Sequence, residues 1–204
     1  MDATASPPDR RQEKKAKSHE RILHEAAAAI REEGAERISV QAVMARAGMT
    51  VGGFYAHFAS KDDLVAQAIA QMFDDRYARF LADLGDSSPE ETLGRFVDNY
   101  LSLRHRDAAD RGCPIPPLAG EIGRLADPAR AAFVAGMERL SEGLAALLAR
   151  MKRPEPVALA HSILAEMAGA ISLARVQPDA AKAGAMLAAS RLRVRDRLGL
   201  NPGN

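Results

Sequence analysis

The chain is poor in several of the residue types that most narrowly constrain function. It holds one cysteine, Cys113, among 204 residues, so no intrachain disulfide forms and no cysteine cluster is available for zinc or an iron–sulfur centre. A reducing compartment fits this usage, and the cytoplasm is the expected location. Tryptophan is absent and aromatic residues make up 4% of the chain, so the lining of any pocket is expected to be more aliphatic than stacking. The formal net charge is only +1, so any nucleic-acid surface has to be local rather than spread over the molecule. The opening stretch, Met1 to Lys17, has no apolar run that would serve as a secretory signal. No segment of any length alternates with the period of a strand, and no internal repeat is visible. A Gly-rich phosphate loop, His-x-x-x-His, Cys-x-x-Cys and a defensible Ser/His/Asp setting are all missing. An enzyme, a metal and a cofactor are therefore not expected.

What remains is helical. The chain is 47% hydrophobic and 27% charged, the balance of a folded domain long enough to bury a core. Residues 1–17 are rich in Pro, Ser and charge and read as a flexible arm; between Arg10 and Arg21 six basic residues face two acidic ones. A helix is expected from Ser18 to Glu33, with Ile22, Leu23, Ala26, Ala27 and Ile30 on one face and Gly34 as its stop. A second starts at Ser39 and carries Val43 and Met44. A third starts at Thr50 and carries Phe54 and Phe58 inward. The turn Ala47-Gly48-Met49-Thr50 between the second and third makes a helix-turn-helix pattern.

A long fourth helix opens at Ser60-Lys61-Asp62-Asp63 and runs towards Leu84. Ser88-Pro89-Glu90-Glu91 carries the capping signature of a fifth, reaching Leu103. A short helix near Leu118 to Leu125 and a longer one capped at Asp127-Pro128 follow. The last two run from about Val157 to Val176 and from Pro178 to about Leu198. The stretch Val157 to Ala174 approaches membrane-spanning length, but His161 and Glu166 within it favour a buried helix. Apolar or small residues nearly all round this helix suit a homodimer interface in which the last two helices pair with their copies as a four-helix bundle. The expected architecture is all-α with about nine helices: an arm over 1–17, a helix-turn-helix unit over 18–64, and a helical unit over 65–204 that carries the dimer face.

The third helix contains Gly52 and Gly53, each costing roughly 1 kcal/mol relative to Ala in a helix interior. With Phe54 and Phe58 turned to the core, its opposite face is Gly52, Gly53 and Ala56, flanked by Tyr55 and His57. A face almost without side chains serves a helix that must lie deep in the major groove of DNA. Base reading would then fall to Thr50 and Val51, and phosphate contact to Tyr55, His57, Lys61 and Ser39. A helical protein-interaction module is the alternative, but it would leave the surface from Thr50 to Lys61 without a purpose.

The run from Ile38 to Leu64, "ISVQAVMARAGMTVGGFYAHFASKDDL", resembles the DNA-binding signature of the TetR family of bacterial one-component transcriptional regulators. The resemblance is carried by the Ala47-Gly48 turn, Gly52, the run Tyr55-Ala56-His57-Phe58, and Ser60 to Leu64. It implies a homodimer with two helix-turn-helix heads, binding a palindromic operator in double-stranded DNA and released by a small-molecule effector held in the C-terminal helices. Where many members carry Lys and Thr on either side of the first glycine, this chain has Val51 and Gly53, so fewer polar groups address the bases directly. Candidate pocket residues are Phe96, Tyr100, Cys113, Phe133, Met137 and His161, and the low aromatic content favours a hydrophobic effector. Cys113, beside Arg111 in a loop-like segment, reads either as a redox or electrophile sensor or as an inert thiol fixed by the prolines around it.

Overall fold

The computed structural model describes residues 10–84 and 87–200, except for the side chains at 83 and 84. Among the described residues it is wholly helical, without strands: nine α-helices and three short 3-10 helices. They are α1 (Arg10–Glu33), α2 (Val40–Arg46), a 3-10 helix (Val51–Ala56), α3 (Lys61–Leu84), α4 (Pro89–Tyr100), α5 (Leu103–Asp107), a 3-10 turn (Ala109–Arg111), α6 (Ile115–Leu118), a second 3-10 turn (Ile122–Arg124), α7 (Asp127–Arg150), α8 (Pro156–Val176) and α9 (Ala180–Leu198).

Local chemistry sets most of the boundaries. At α4 the Ser88 hydroxyl accepts from the Glu91 N–H at 3.1 Å while the Glu91 carboxylate accepts from the Ser88 N–H at 3.0 Å, with Pro89 fixing the first turn. At α3 the Ser60 hydroxyl accepts from the Asp63 N–H, and the Asp63 carboxylate reaches back to the Ala59 N–H at 2.8 Å. The Asp179 carboxylate opens α9 by accepting from the N–H groups of Ala181 and Lys182.

Four expectations are corrected. Residues 10–17 are not an arm but the first two turns of α1, because Arg, Gln, Glu, Lys and Ala are all good helix formers and Glu13 stands four residues before Lys17; residues 1–9 of the expected arm lie outside the described residues. The helix expected to reach Leu103 stops at Tyr100, and the Ser102 hydroxyl caps a new short helix by accepting from the His105 N–H. Asp127 does not cap α7 from outside; it sits in the first turn, paired with Arg130, and Ala126 is the residue at the boundary. The helix of the helix-turn-helix that follows the turn is 3-10 rather than α. Two glycines in six residues give too little propensity to nucleate a wider turn, so the segment closes its bonds three residues apart.

The core of the larger unit is the crossing of α3 and α7. Phe73 and Phe80 stand seven residues apart on α3, and Gly136 and Gly143 stand seven apart on α7. A Cβ added at Gly136 would lie 2.2 Å from Phe73 Cγ, and one at Gly143 would lie 2.9 Å from Phe80 Cε1. Each ring therefore fills a gap that only glycine leaves, which lets the two helix axes approach closely. Phe133 meets Phe73 edge-on at 5.5 Å, and Phe96 of α4 meets Phe80 the same way at 5.5 Å. Placing alanine at Gly136 should lower unfolding stability by about 1–3 kcal/mol through overpacking, outweighing the roughly 1 kcal/mol gain in helix propensity; urea denaturation of the Gly136→Ala protein measures it, and an unchanged midpoint would refute the tight crossing.

Candidate nucleic-acid interface

The smaller unit is built on the apolar face of α1: Ile22, Leu23, Ala26, Ala27 and Ile30 are all buried, together with Val43 and Met44 of α2 and Phe54 and Phe58 beyond the turn. Arg46 ties α2 to α1 by donating to Glu25 at 3.2 Å and to Glu32 at 2.9 Å; the hydrogen bonds to Glu32 and then Glu25 raise its pKa. The turn after α2 is closed by two bonds, Gly48 N–H to Ala45 C=O and Met49 N–H to Met44 C=O, each 2.9 Å. This pairing requires a left-handed residue between them, and Gly48 supplies it with φ +64°.

Beyond the turn, Thr50 has the extended backbone of a helix cap, yet its side chain makes no capping bond. Its hydroxyl is thus uncommitted, and the residue is exposed. Val51 and Ala56 are exposed as well, and Tyr55 is 77% exposed. A Cβ at Gly52 would meet nothing within 4 Å, and one at Gly53 would meet only the Met44 methyl at 3.9 Å, an ordinary contact. No internal packing demands either glycine, so the bare face points to something outside the chain.

Around this face the structure puts the other predicted residues in differing situations. Ser39 is exposed and its oxygen caps α2 by accepting from the Ala42 N–H at 3.0 Å, leaving the hydroxyl proton to donate. Lys61 is half-buried and donates to the Glu36 carbonyl at 2.9 Å, which uses one of the three ammonium protons. His57 is half-buried, its ring centroid 5.9 Å from that of His19, and its Nδ1 has no hydrogen-bond partner among the described residues. Burial, then His19 and Lys15, hold its pKa below the usual value. His19 in turn stacks on Phe58 at 4.7 Å and bonds Gln67 at 3.1 Å. The helical stretch 10–21, whose basic side chains are exposed, thus passes His57, at the end of the 3-10 helix, through Lys15 and His19.

The pocket residues fare less uniformly. A cavity of about 630 Å³ opens between α3, α4 and the α5 segment. Of the six candidates only Phe96 lines it. Tyr100 and Cys113 lie buried directly behind it, whereas Phe133 packs on Phe73 in the α3–α7 crossing and Met137 sits at the edge of the core. His161 is corrected: it is exposed on α8, because the repeat of that helix turns 161, 165 and 169 to one outward face. The expectation of an aliphatic lining also fails, since Arg76, Arg79, Arg104 and Arg111 border the cavity. The cluster "RHRDAADR" from Arg104 to Arg111 was the available signal.

At the cavity wall His105 is fixed in one neutral form. Its Nδ1 donates to the Tyr100 carbonyl at 2.8 Å and its Nε2 accepts from the Cys113 N–H at 3.0 Å. Burial pushes its pKa down to about 4, with Arg76 and Arg175 adding to the effect against the raising bond to Tyr100. Burial likewise lifts the Tyr100 phenol well above its ordinary range.

An exposed side-chain-poor helix behind a tight turn, on a three-helix support and joined by a long helix to an all-α body with a cavity, defines a helix-turn-helix DNA-binding regulator. Residues 22–68 match the family "Bacterial regulatory proteins, tetR family", and residues 89–190 match "Tetracyclin repressor-like, C-terminal domain". The chain belongs to the TetR family of transcriptional regulators. It is similar to the transcriptional regulator AcuR of Cereibacter sphaeroides, at 26% identity over 174 residues and 79% of each chain. The HTH-type transcriptional repressor KstR2 of Mycobacterium tuberculosis is 30% identical over 116 residues, 55% of each chain. A TetR-family regulator of known structure from Agrobacterium tumefaciens superposes with a TM-score of 0.76 at 26% identity, covering 88% of this chain and 98% of its own.

Two outcomes follow. Gly52→Ala should leave the midpoint of urea unfolding unchanged or raise it, by up to about 1 kcal/mol, while weakening DNA binding in a gel-shift titration; loss of stability would mean that the glycine serves the fold. Because the fold prefers neutral His105, its contribution is complete above about pH 6.5, the value of an unburied histidine, and is lost as pH falls towards about 4. Over that interval on the order of 3 kcal/mol of stability should disappear, and His105→Gln should flatten that part of the stability–pH curve measured by denaturation.

Proposed function

We propose that this protein is a cytoplasmic repressor that binds a palindromic operator as a homodimer and leaves it when a small molecule enters the C-terminal unit. The observation that carries the reading is the open surface at Gly52, where an added methyl group would touch no atom of the chain. In this reading Thr50 and Val51 meet base edges, Gly52 and Gly53 let the backbone close on the groove, and Ser39, Tyr55, His57 and Lys61 hold the phosphates. The division is 18–64 for the head and 65–204 for effector binding and pairing, with the basic start of α1 following the backbone nearby.

The dimer reading assigns the outward faces of α8 and α9 to the partner copy. Val157, Leu173 and Val176 on α8 and Met186 and Leu192 on α9 are exposed, half of the large exposed hydrophobic residues described. Only 39% of the most apolar window of α8 is buried, and Ala165 and Gly169 leave the middle of its outward face smooth. A helix that is apolar on a face its own chain does not cover suits a four-helix pairing.

Support for effector control comes from the junction. Arg31 at the end of α1 donates to the carbonyls of Gly112 and Asp110, each at 3.2 Å. The Glu121 carboxylate accepts from the Ala35 N–H at 2.9 Å, and Arg124 lies 3.3 Å from Glu36. The segment after α5 borders the cavity and also grips the head, so a ligand that shifts it would reorient α1. A ~100-fold loss of operator affinity requires only about 2.7 kcal/mol of differential binding between the two states.

Fluorescence anisotropy with the fragment upstream of its own gene tests the reading. Affinity should fall steeply with salt through counterion release. Lys61→Ala should weaken all sequences alike, Thr50 and Val51 substitutions should change preference among sequences, and Leu173→Glu should yield a folded monomer that no longer binds. Salt-insensitive association, or full operator affinity in the Leu173→Glu protein, would sink it.

A further inference from the structure

We infer that the cavity between α3, α4 and α5 is a site for a small organic carboxylate with an apolar body. The inference rests on the effector-binding reading of the C-terminal unit and specifies its ligand. Four arginines, Arg76, Arg79, Arg104 and Arg111, border the cavity, and no acidic residue is among its lining within the described residues. Their existing partners are mostly neutral. Arg104 donates to the Asn99 side-chain carbonyl at 3.0 Å and Arg79 to the Arg111 carbonyl at 3.3 Å. Among the described residues only Arg111 of the four has a carboxylate, that of Asp110 at 3.1 Å. A cleft bordered by charges of one sign concentrates anions.

Arg76 singles out the kind of anion. Its guanidinium carbon lies 4.9 Å from the centre of the Phe96 ring and 5.3 Å from that of Tyr100, so the group rests against both rings. Its Nε and Nη2 are buried with no hydrogen-bond partner among the described residues. These two donors lie on one edge of the guanidinium, parallel and directed the same way, the spacing that two carboxylate oxygens accept as a pair. Donors left buried and unpaired are costly, and a ligand that pairs them recovers that cost on binding. His105 does not compete for this role, since both its ring nitrogens are occupied and burial keeps it neutral. The rings of Phe80 and Phe96 supply an apolar wall beside the fork, and the volume of about 630 Å³ limits the guest to a small molecule. A carboxylate seated on Arg76 also lies against the segment whose carbonyls Arg31 holds.

Calorimetric titration of the full-length protein, without DNA, tests this with straight-chain carboxylates from propionate to octanoate and benzoate, each beside its uncharged amide, and with inorganic phosphate. At least one carboxylate should bind about tenfold more tightly than its amide, and Arg76→Gln should remove most of that preference. Arg104→Gln, at an exposed position, should reduce it about threefold and guards against a folding defect at Arg76. Equal affinity for acids and amides across the series, phosphate binding more tightly than every carboxylate, or a preference untouched by both substitutions would each overturn the inference. Operator release is measured separately: a carboxylate that binds the wild type but leaves the operator complex intact would refute effector control and leave this site standing.

Discussion

The molecule depends on the close crossing of α3 and α7. Two phenylalanines seven residues apart enter two gaps left by glycines seven residues apart, and this fixes the distance and the axial register of the helices at once. Because α3 is continuous from Lys61 to Leu84, the crossing also determines where the end of that helix beside the head lies. Sliding one helix past the other would drive Phe73 or Phe80 into backbone, so the joint resists small displacements. A head carried on such a lever can be moved only as a body, or by changing what grips it from the side.

That grip is polar. Arg31, Glu121 and Arg124 join the end of α1 and the turn that follows it to the stretch between α5 and α7 through hydrogen bonds to backbone groups and one exposed ion pair. Such contacts are directional and individually worth little beside the apolar core. They can be exchanged without unfolding either unit, which is what a regulated joint needs. The same stretch borders the cavity, so one short piece of chain touches both the cavity and the head.

Much of the head was legible in the sequence because it is local. The positions of Ile22, Ala26 and Ile30, the Gly48 turn and the capping serines at 39 and 60 are set by interactions within a few residues. The bare face at Gly52 was legible for the same reason: it follows from which side Phe54 and Phe58 take. The 3-10 winding of that segment was missed, since a helical period of 3.6 was assumed where short length and two glycines favour a tighter turn. The first turns of α1 were missed because no apolar stripe marks them; their order comes from propensity alone.

The cavity was largely illegible. Aromatic and soft residues were sought, yet Phe133 belongs to the crossing and His161 to an outer face, while the arginines that border the opening come from three separate elements. By itself, then, the sequence determined the all-α class, the helix-turn-helix and its smooth outward face, because periodicity, caps and turn chemistry act over one or two helical turns. Only the tertiary structure decided that Phe73 meets Gly136, that Arg31 holds the carbonyl of Gly112, and that four arginines border one cavity with no acid among its described lining residues. Those relations join residues far apart in the chain, and their distances are fixed by helix packing, which no local pattern encodes.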